Sequence, residues 1–333
     1  MIITQSPLRM SFAGGGSDLP CFYRRFGGAV VTTTIDKYVY LNVNEKFDHR
    51  IRLSYSKTED VATPDEIEHP IVRAALKKLN IPGGLEITSI ADIPSRGTGL
   101  GSSSSFTVGL LLALHAYQST YISPADLAEE SCSVEIDLCG ERIGKQDQYA
   151  AAFGGLNLIR FEPDDRVTVE PLLCPHDTLF ELESSLLVFY TGNTRQASSI
   201  LNEQSRSAES DGKTQQLLLR MVELAGLLRT ELNRGNVSAL GEILDEGWCL
   251  KRELHPLISN PNIESWYRAA KHAGARGGKL LGAGGGGFLL FFAPQERHSE
   301  LEQALGLRRV HFSLERSGSR VLLYQTPRST KAR

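Results

Sequence analysis

Pro94-Ser95-Arg96-Gly97-Thr98-Gly99-Leu100-Gly101-Ser102-Ser103-Ser104-Ser105 is the stretch on which the reading of this chain turns. A β-branched segment, 85–90, leads into it and is expected as a strand ending near Pro94. An apolar run, 106–117, leads out and is long enough for a buried helix. Glycines between the two let the backbone turn its N–H groups toward one point, and the free amides and positive end of a following helix add to the same field. Four serine hydroxyls stand where those amides begin. The combination fits a phosphate chain with a metal ion, since a serine hydroxyl can complete a Mg²⁺ shell. Gly97, Gly99, Leu100, Gly101, Ser102, Ser103 and Ser104 are therefore expected at phosphates.

Working outward, the 31 glycines of the 333 residues gather in two further clusters, Gly14–Gly16 and Gly282 with Gly284–Gly287. Both abut apolar segments, as binding loops do and flexible linkers do not. No GxxxxGK[ST] occurs; 140–146 has the wrong spacing and ends on Gln146. The stretch 282–287 matches GxGxxG, yet a strand follows it and too little chain remains for a dinucleotide fold.

Composition removes other classes. A formal net charge of -3 argues against bulk electrostatic binding of nucleic acid. No apolar run reaches a membrane span, and the first residues carry neither a basic head nor a long apolar stretch. Five scattered cysteines without a CxxC pair fit reduced thiols, and the eight histidines show no ligand spacing. A cytoplasmic protein is expected; homo-oligomerisation stays open.

Strands are expected over 30–43, 156–161, 186–190, 288–292 and 320–325, and helix from 198 to about 247, with Leu217, Leu218, Met221, Leu224, Leu228 and Leu232 as core spacing. Ser123-Pro124-Ala125-Asp126 is a helix start. On that helix Glu135 falls on the apolar stripe of Ala128, Cys132, Ile136 and Cys139, where a carboxylate is costly unless a cation or donors meet it. The pattern is α+β, in two lobes joined near residue 180.

The three glycine segments resemble, in order, the three motifs of the GHMP kinase superfamily (galacto-, homoserine, mevalonate and phosphomevalonate kinases). They are Pro7-Leu8-Arg9-Met10-Ser11-Phe12-Ala13-Gly14-Gly15-Gly16-Ser17-Asp18, the serine loop with its complete GLGSS, and Lys279-Leu280-Leu281-Gly282-Ala283-Gly284-Gly285-Gly286-Gly287. The resemblance implies an N-terminal kinase domain over 1–180 and a ferredoxin-like C-terminal domain over 181–333. It also implies ATP with Mg²⁺, the ion held by Ser103 and Glu135, the latter twelve residues before Asp147. Gly144-Lys145-Gln146-Asp147-Gln148 resembles the GxxDQ segment of the sugar kinases, making Asp147 the base or the orienting group for an acceptor hydroxyl. Arg9 would lie beside the transferring phosphoryl group. Asp18, with Gly15, Gly16, Ser17, Gly284 and Gly285, would bind substrate.

Within the superfamily, Ser11–Asp18, Thr34-Ile35-Asp36-Lys37-Tyr38, Thr191-Gly192-Asn193-Thr194-Arg195 and Gly277-Gly278-Lys279 look like the D-glycero-D-manno-heptose 7-phosphate kinases. That likeness implies phosphorylation of the anomeric C1 hydroxyl to a 1,7-bisphosphate, for nucleotide-activated heptose. The partners would be a sugar phosphate and ATP, without nucleic acid or membrane. The alternatives are a fucokinase-like 1-kinase on an unphosphorylated sugar and a non-catalytic GHMP-fold sensor. A second anion pocket has no motif; Arg24, Arg25, Lys37, Arg195 and Arg276 are the basic residues near the site segments.

Overall fold

The computed structural model describes residues 1–93, 98–192 and 208–325. Its architecture is α+β, as expected, on two sheets. The larger has nine strands built around Gly28–Glu45, an antiparallel neighbour of Ile2–Ala13 along nearly its whole length, from Ile2 opposite Val43 to Ala13 opposite Val31. Gly28–Glu45 is long enough to serve two further partners. Its first half pairs with Leu156–Phe161 and its second half with Leu85–Ala91.

Ile2–Ala13 is a strand that alternation does not announce. All its residues except Ile3 are buried, on both faces, so Thr4, Gln5, Ser6, Arg9 and Ser11 are buried beside Leu8, Met10 and Phe12. A strand covered on both sides has no period of two to detect. The Ser102–Tyr117 helix packs on these two long strands. It is apolar almost all round, which suits a core helix, and it begins one turn before the expected 106–117, so the serines form its first turn.

The second sheet is antiparallel, in the order Arg308–Val310, Leu186–Tyr190, Phe288–Phe292, Gly277–Leu280. Numbered along the chain this is 4-1-3-2, with helices between the first and second and between the third and fourth strands, the ferredoxin-like pattern. Helix Ala239–Leu254 lies against Gly277–Leu280, and helix Gly212–Asn233 packs on it and reaches across to both long strands of the first sheet. Of the expected stripe, Leu218, Met221, Leu224, Leu228 and Leu232 are buried and Leu217 is half-buried. The expected helical stretch breaks at 234–238, and its residues 198–207 lie outside the described ones.

The second sheet takes its first strand from Leu186–Tyr190, but the chain then returns to the first sheet. Leu314–Glu315 pairs with Gly28–Glu45, and Arg320–Tyr324 pairs with Ile2–Ala13, so the last strands of segment 181–333 complete the first sheet. Among the described residues no helix is long and apolar enough to cross a membrane.

Candidate active site

The glycine segments meet at a cleft of about 290 Å³ where the two lobes touch. Their contact is backbone on backbone. A Cβ on Gly99 would sit 2.3 Å from the Leu281 carbonyl oxygen, and one on Gly282 would sit 2.2 Å from Gly99 Cα. Gly99 also holds a φ of +77°, which favours glycine. The first segment is tied in by the Arg9 N–H, which donates to the Leu100 carbonyl at 3.0 Å.

Gly101, at φ 74°, precedes the Ser102–Tyr117 helix, and no side chain caps it. The first amides of a sixteen-residue helix are thereby left without helical partners, beside the cleft that Ser102, Ser103 and Ser104 line. Below them lies Glu135. The helix from Ser123 is capped as expected, with the Asp126 N–H donating to Ser123 Oγ at 3.2 Å, but it is α-helical only to Cys132. Residues Ser133–Leu138 form a π-helical turn, which re-aims the following side chains. Glu135 is buried; its Oε1 accepts from Ser103 Oγ at 3.1 Å and its Oε2 from Ser104 Oγ at 2.8 Å and Gln148 Nε2 at 2.5 Å. Burial pushes the carboxyl up to about 7, although these hydrogen bonds pull the other way.

Asp147 lies in the first turn of helix Gln146–Phe153, where Lys145 occupies the cap position, so its carboxylate does not cap that helix. It is instead clamped by Arg9: Nε to Oδ1 at 2.7 Å and Nη2 to Oδ2 at 2.9 Å, while Arg9 Nη1 donates to the Gly99 carbonyl at 2.6 Å. This is a two-pronged pair that fixes both planes. Asp18 stands beside it, buried, accepting from the amides of Gly16 at 2.9 Å and Gln146 at 3.2 Å. Burial and the Asp147 charge raise its pKa. Gly144 is required by this packing, since a Cβ there would lie 1.8 Å from Asp18 Oδ2.

Arg9, Gly15, Gly16, Asp18, Gly99, Gly101, Ser102, Ser103, Ser104, Glu135 and Asp147 thus share one cleft. Other expected residues do not line it. Ser17 is buried, with its hydroxyl donating to the Gly14 carbonyl; Leu100 is core; Gly284 and Gly285 pack on Ile258, and Gly282 and Ala283 face the cleft in their place. Gly97 lies outside the described residues. Of the basic candidates for a second anion pocket, Arg24 bonds to Asp165, Arg25 to the Glu209 carbonyl and Lys37 to Asp36; none of these three, nor Arg276, lines the cleft, and Arg195 lies outside the described residues.

Polar residues without an assigned role also line it, among them Ser11, Thr98, Glu141, Gln146, Lys251 and Lys279. Ser11 Oγ and Gln146 Oε1 are buried without a partner. Lys251 had a legible signal, because it continues the apolar stripe Leu240, Leu244, Trp248 on its helix.

Residues 69–155 match the GHMP kinases N terminal domain and 228–308 the GHMP kinases C terminal domain. The chain is 30% identical over 319 residues to the D-glycero-alpha-D-manno-heptose 7-phosphate kinase of Campylobacter jejuni, covering 91% of this chain and 93% of that one. It is also 30% identical over 324 residues to the bifunctional fucokinase/GDP-fucose pyrophosphorylase of Arabidopsis thaliana, covering 90% of this chain and 30% of that much longer protein. The crystal structure of a D-glycero-D-manno-heptose 1-phosphate kinase from Bacteroides thetaiotaomicron is similar with a TM-score of 0.80 and 26% identity, covering 98% of this chain and 100% of that one.

Proposed function

The chain belongs to the GHMP kinases and is an ATP-dependent sugar kinase, and from that premise we propose that it phosphorylates the C1 hydroxyl of D-glycero-D-manno-heptose 7-phosphate, giving the 1,7-bisphosphate. Such a product suits the synthesis of nucleotide-activated heptose. The same proposal divides the chain into domains at 1–180 and 181–333. The observation that carries the chemistry is the Arg9–Asp147 clamp, set between the start of the Ser102–Tyr117 helix and the buried Asp18.

The amides of Ser102–Ser104 receive the phosphate chain of ATP at the positive helix end. Glu135 and Ser103 fit a Mg²⁺ ion that keeps water and phosphate oxygens in its shell, because the buried carboxylate is met by neutral donors alone. When bound, the ion supplies neutralisation of charge on the phosphates during transfer. Each Asp147 oxygen accepts one bond from Arg9 and retains lone-pair capacity for the attacking hydroxyl. Asp147 therefore orients that hydroxyl and can take its proton. Arg9 engages three of its five N–H groups in this clamp and keeps two for the transferring phosphoryl group. Asp18 accepts from sugar hydroxyls, flanked by Gly15 and Gly16, with Ser11 and Gln146 adding unused polar atoms on the same wall.

An ATP-consumption screen with Mg²⁺ tests the substrate. Its acceptors are the manno-heptose 7-phosphate, the corresponding 1-phosphate, sedoheptulose 7-phosphate, the free heptose, mannose, fucose and galactose. Selective turnover of the manno-heptose 7-phosphate is expected. Turnover confined to an unphosphorylated sugar would keep the kinase and discard the heptose phosphate.

A further inference from the structure

A sugar phosphate brings a second anion into the cleft, apart from ATP, and the structure must meet it somewhere. Lys251 and Lys279 both line the cleft and are 8% and 5% exposed. Their partners are backbone carbonyls. Lys251 Nζ donates to Leu280 at 3.4 Å and to Gly282, and Lys279 Nζ donates to Phe12 at 3.1 Å. Among the described residues no carboxylate forms an ion pair with either ammonium; Asp18, the acid that acts on Lys251, is already bonded to the amides of Gly16 and Gln146. Two buried cations facing neutral oxygens are an unfinished arrangement, since a buried charge is tolerated when it is paired.

Their place in the cleft identifies the missing partner. The Phe12 carbonyl belongs to the end of Ile2–Ala13, immediately before Gly14–Gly16 and Asp18. Lys251 feels Arg9 and Asp18, and Lys279 feels Lys251 and Arg9. Glu135, at the ATP end, is instead surrounded by Ser103, Ser104, Thr107 and Gln148. Lys279 thus reaches the strand end that leads into Gly14–Gly16 and Asp18, and Lys251 lies near Arg9 and Asp18 beside the Gly282 loop. We propose that Lys251 and Lys279 form an anion subsite that receives the acceptor's own phosphomonoester, and so select a phosphorylated sugar over a free one. Burial first, then the Arg9 charge, pushes Lys251 below the usual lysine range, and burial with the Lys251 and Arg9 charges does the same to Lys279; a bound dianion opposes both shifts.

This inference rests on the sugar phosphate reading, and two measurements separate them. In steady state, Lys251→Met is expected to lower the kcat/KM preference for heptose 7-phosphate over free heptose by roughly 10- to 100-fold, the value of a lost charged hydrogen bond. The KM for ATP should stay within about threefold. Lys251→Arg should retain most of the preference. In calorimetry, with Mg²⁺ and a nonhydrolysable ATP analogue filling the γ-phosphate position, inorganic phosphate should bind the wild-type protein and bind Lys251→Met at least about tenfold more weakly. Should Lys251→Met not fold, Lys251→Gln takes its place, keeping a donor for the Leu280 and Gly282 carbonyls. Phosphate binding that depends on Lys251, without turnover of any heptose phosphate, would reject the substrate and keep the subsite. Equal phosphate affinity in wild type and variant, equal losses on both acceptors, or a loss confined to ATP would overturn it.

Discussion

Replacing Lys251 by Met, similar in length and uncharged, isolates what that ammonium costs the ligand-free fold. Burial, with Arg9 nearby, brings Lys251 down to about 8 from an ordinary 10.5, although Asp18 offsets part of the effect. The folded pKa is below the unfolded one, so the unfolded chain holds the proton more tightly. The penalty is then fully present below about pH 8 and fades as pH rises toward 10.5. At about 1.4 kcal/mol per unit it amounts to about 3 kcal/mol at pH 7. The variant also loses the charged hydrogen bonds to the Leu280 and Gly282 carbonyls, roughly 1.5–3 kcal/mol each. The two contributions oppose one another and are similar in size at pH 7, so the pH dependence is the test. Between pH 7 and 9.5 the stability of Lys251→Met relative to wild type should fall by about 2 kcal/mol. Urea unfolding without ATP or sugar, followed by the fluorescence of Trp248 and Trp266, reads the difference at each pH. A relative stability independent of pH, or one rising with pH, would refute the picture of an uncompensated buried cation.

Asp147→Asn should cut kcat by about 10²–10⁴ while calorimetry still detects ATP, and unchanged turnover would remove Asp147 from its role. If Glu135 holds the ion, Glu135→Ala should shift the Mg²⁺ titration to concentrations higher by at least about tenfold, and a superimposable titration would sink that assignment. Gly144→Ala places a methyl 1.8 Å from Asp18 Oδ2. It should raise the acceptor KM by about tenfold or more while the ATP KM holds, because an ångström of displacement at the reacting group is costly; an unaltered acceptor KM would show that Asp18 does not touch the sugar.

Much of this site was legible because each glycine cluster marks a place where backbone meets backbone or ligand. Gly99 and Gly282 lie far apart in sequence, yet each has the other's loop where its Cβ would be. The serines before an apolar run mark the start of Ser102–Tyr117 and its N-terminal amides. Other features left weaker marks. Ile2–Ala13 is buried on both faces, so it shows no alternation. The π-helical turn at Ser133–Leu138 depends on a local change of hydrogen bonding that a nine-residue helix cannot reveal by periodicity. Nearness to a motif along the chain does not by itself place a basic residue at the cleft: it brings Arg24 to Asp165, whereas Lys279, within the third motif, lines the cleft. Lys251 arrives there through the packing of Ala239–Leu254 on Gly277–Leu280, a contact set by the second lobe's fold.

The most direct test of the central claim is the ³¹P spectrum of the product formed from ATP, Mg²⁺ and D-glycero-D-manno-heptose 7-phosphate. The account requires a new phosphate resonance coupled to the anomeric proton, stoichiometric with the ADP released, with the original 7-phosphate unchanged. ADP release without an anomeric phosphate, or no consumption of this sugar beside turnover of a free one, would contradict it.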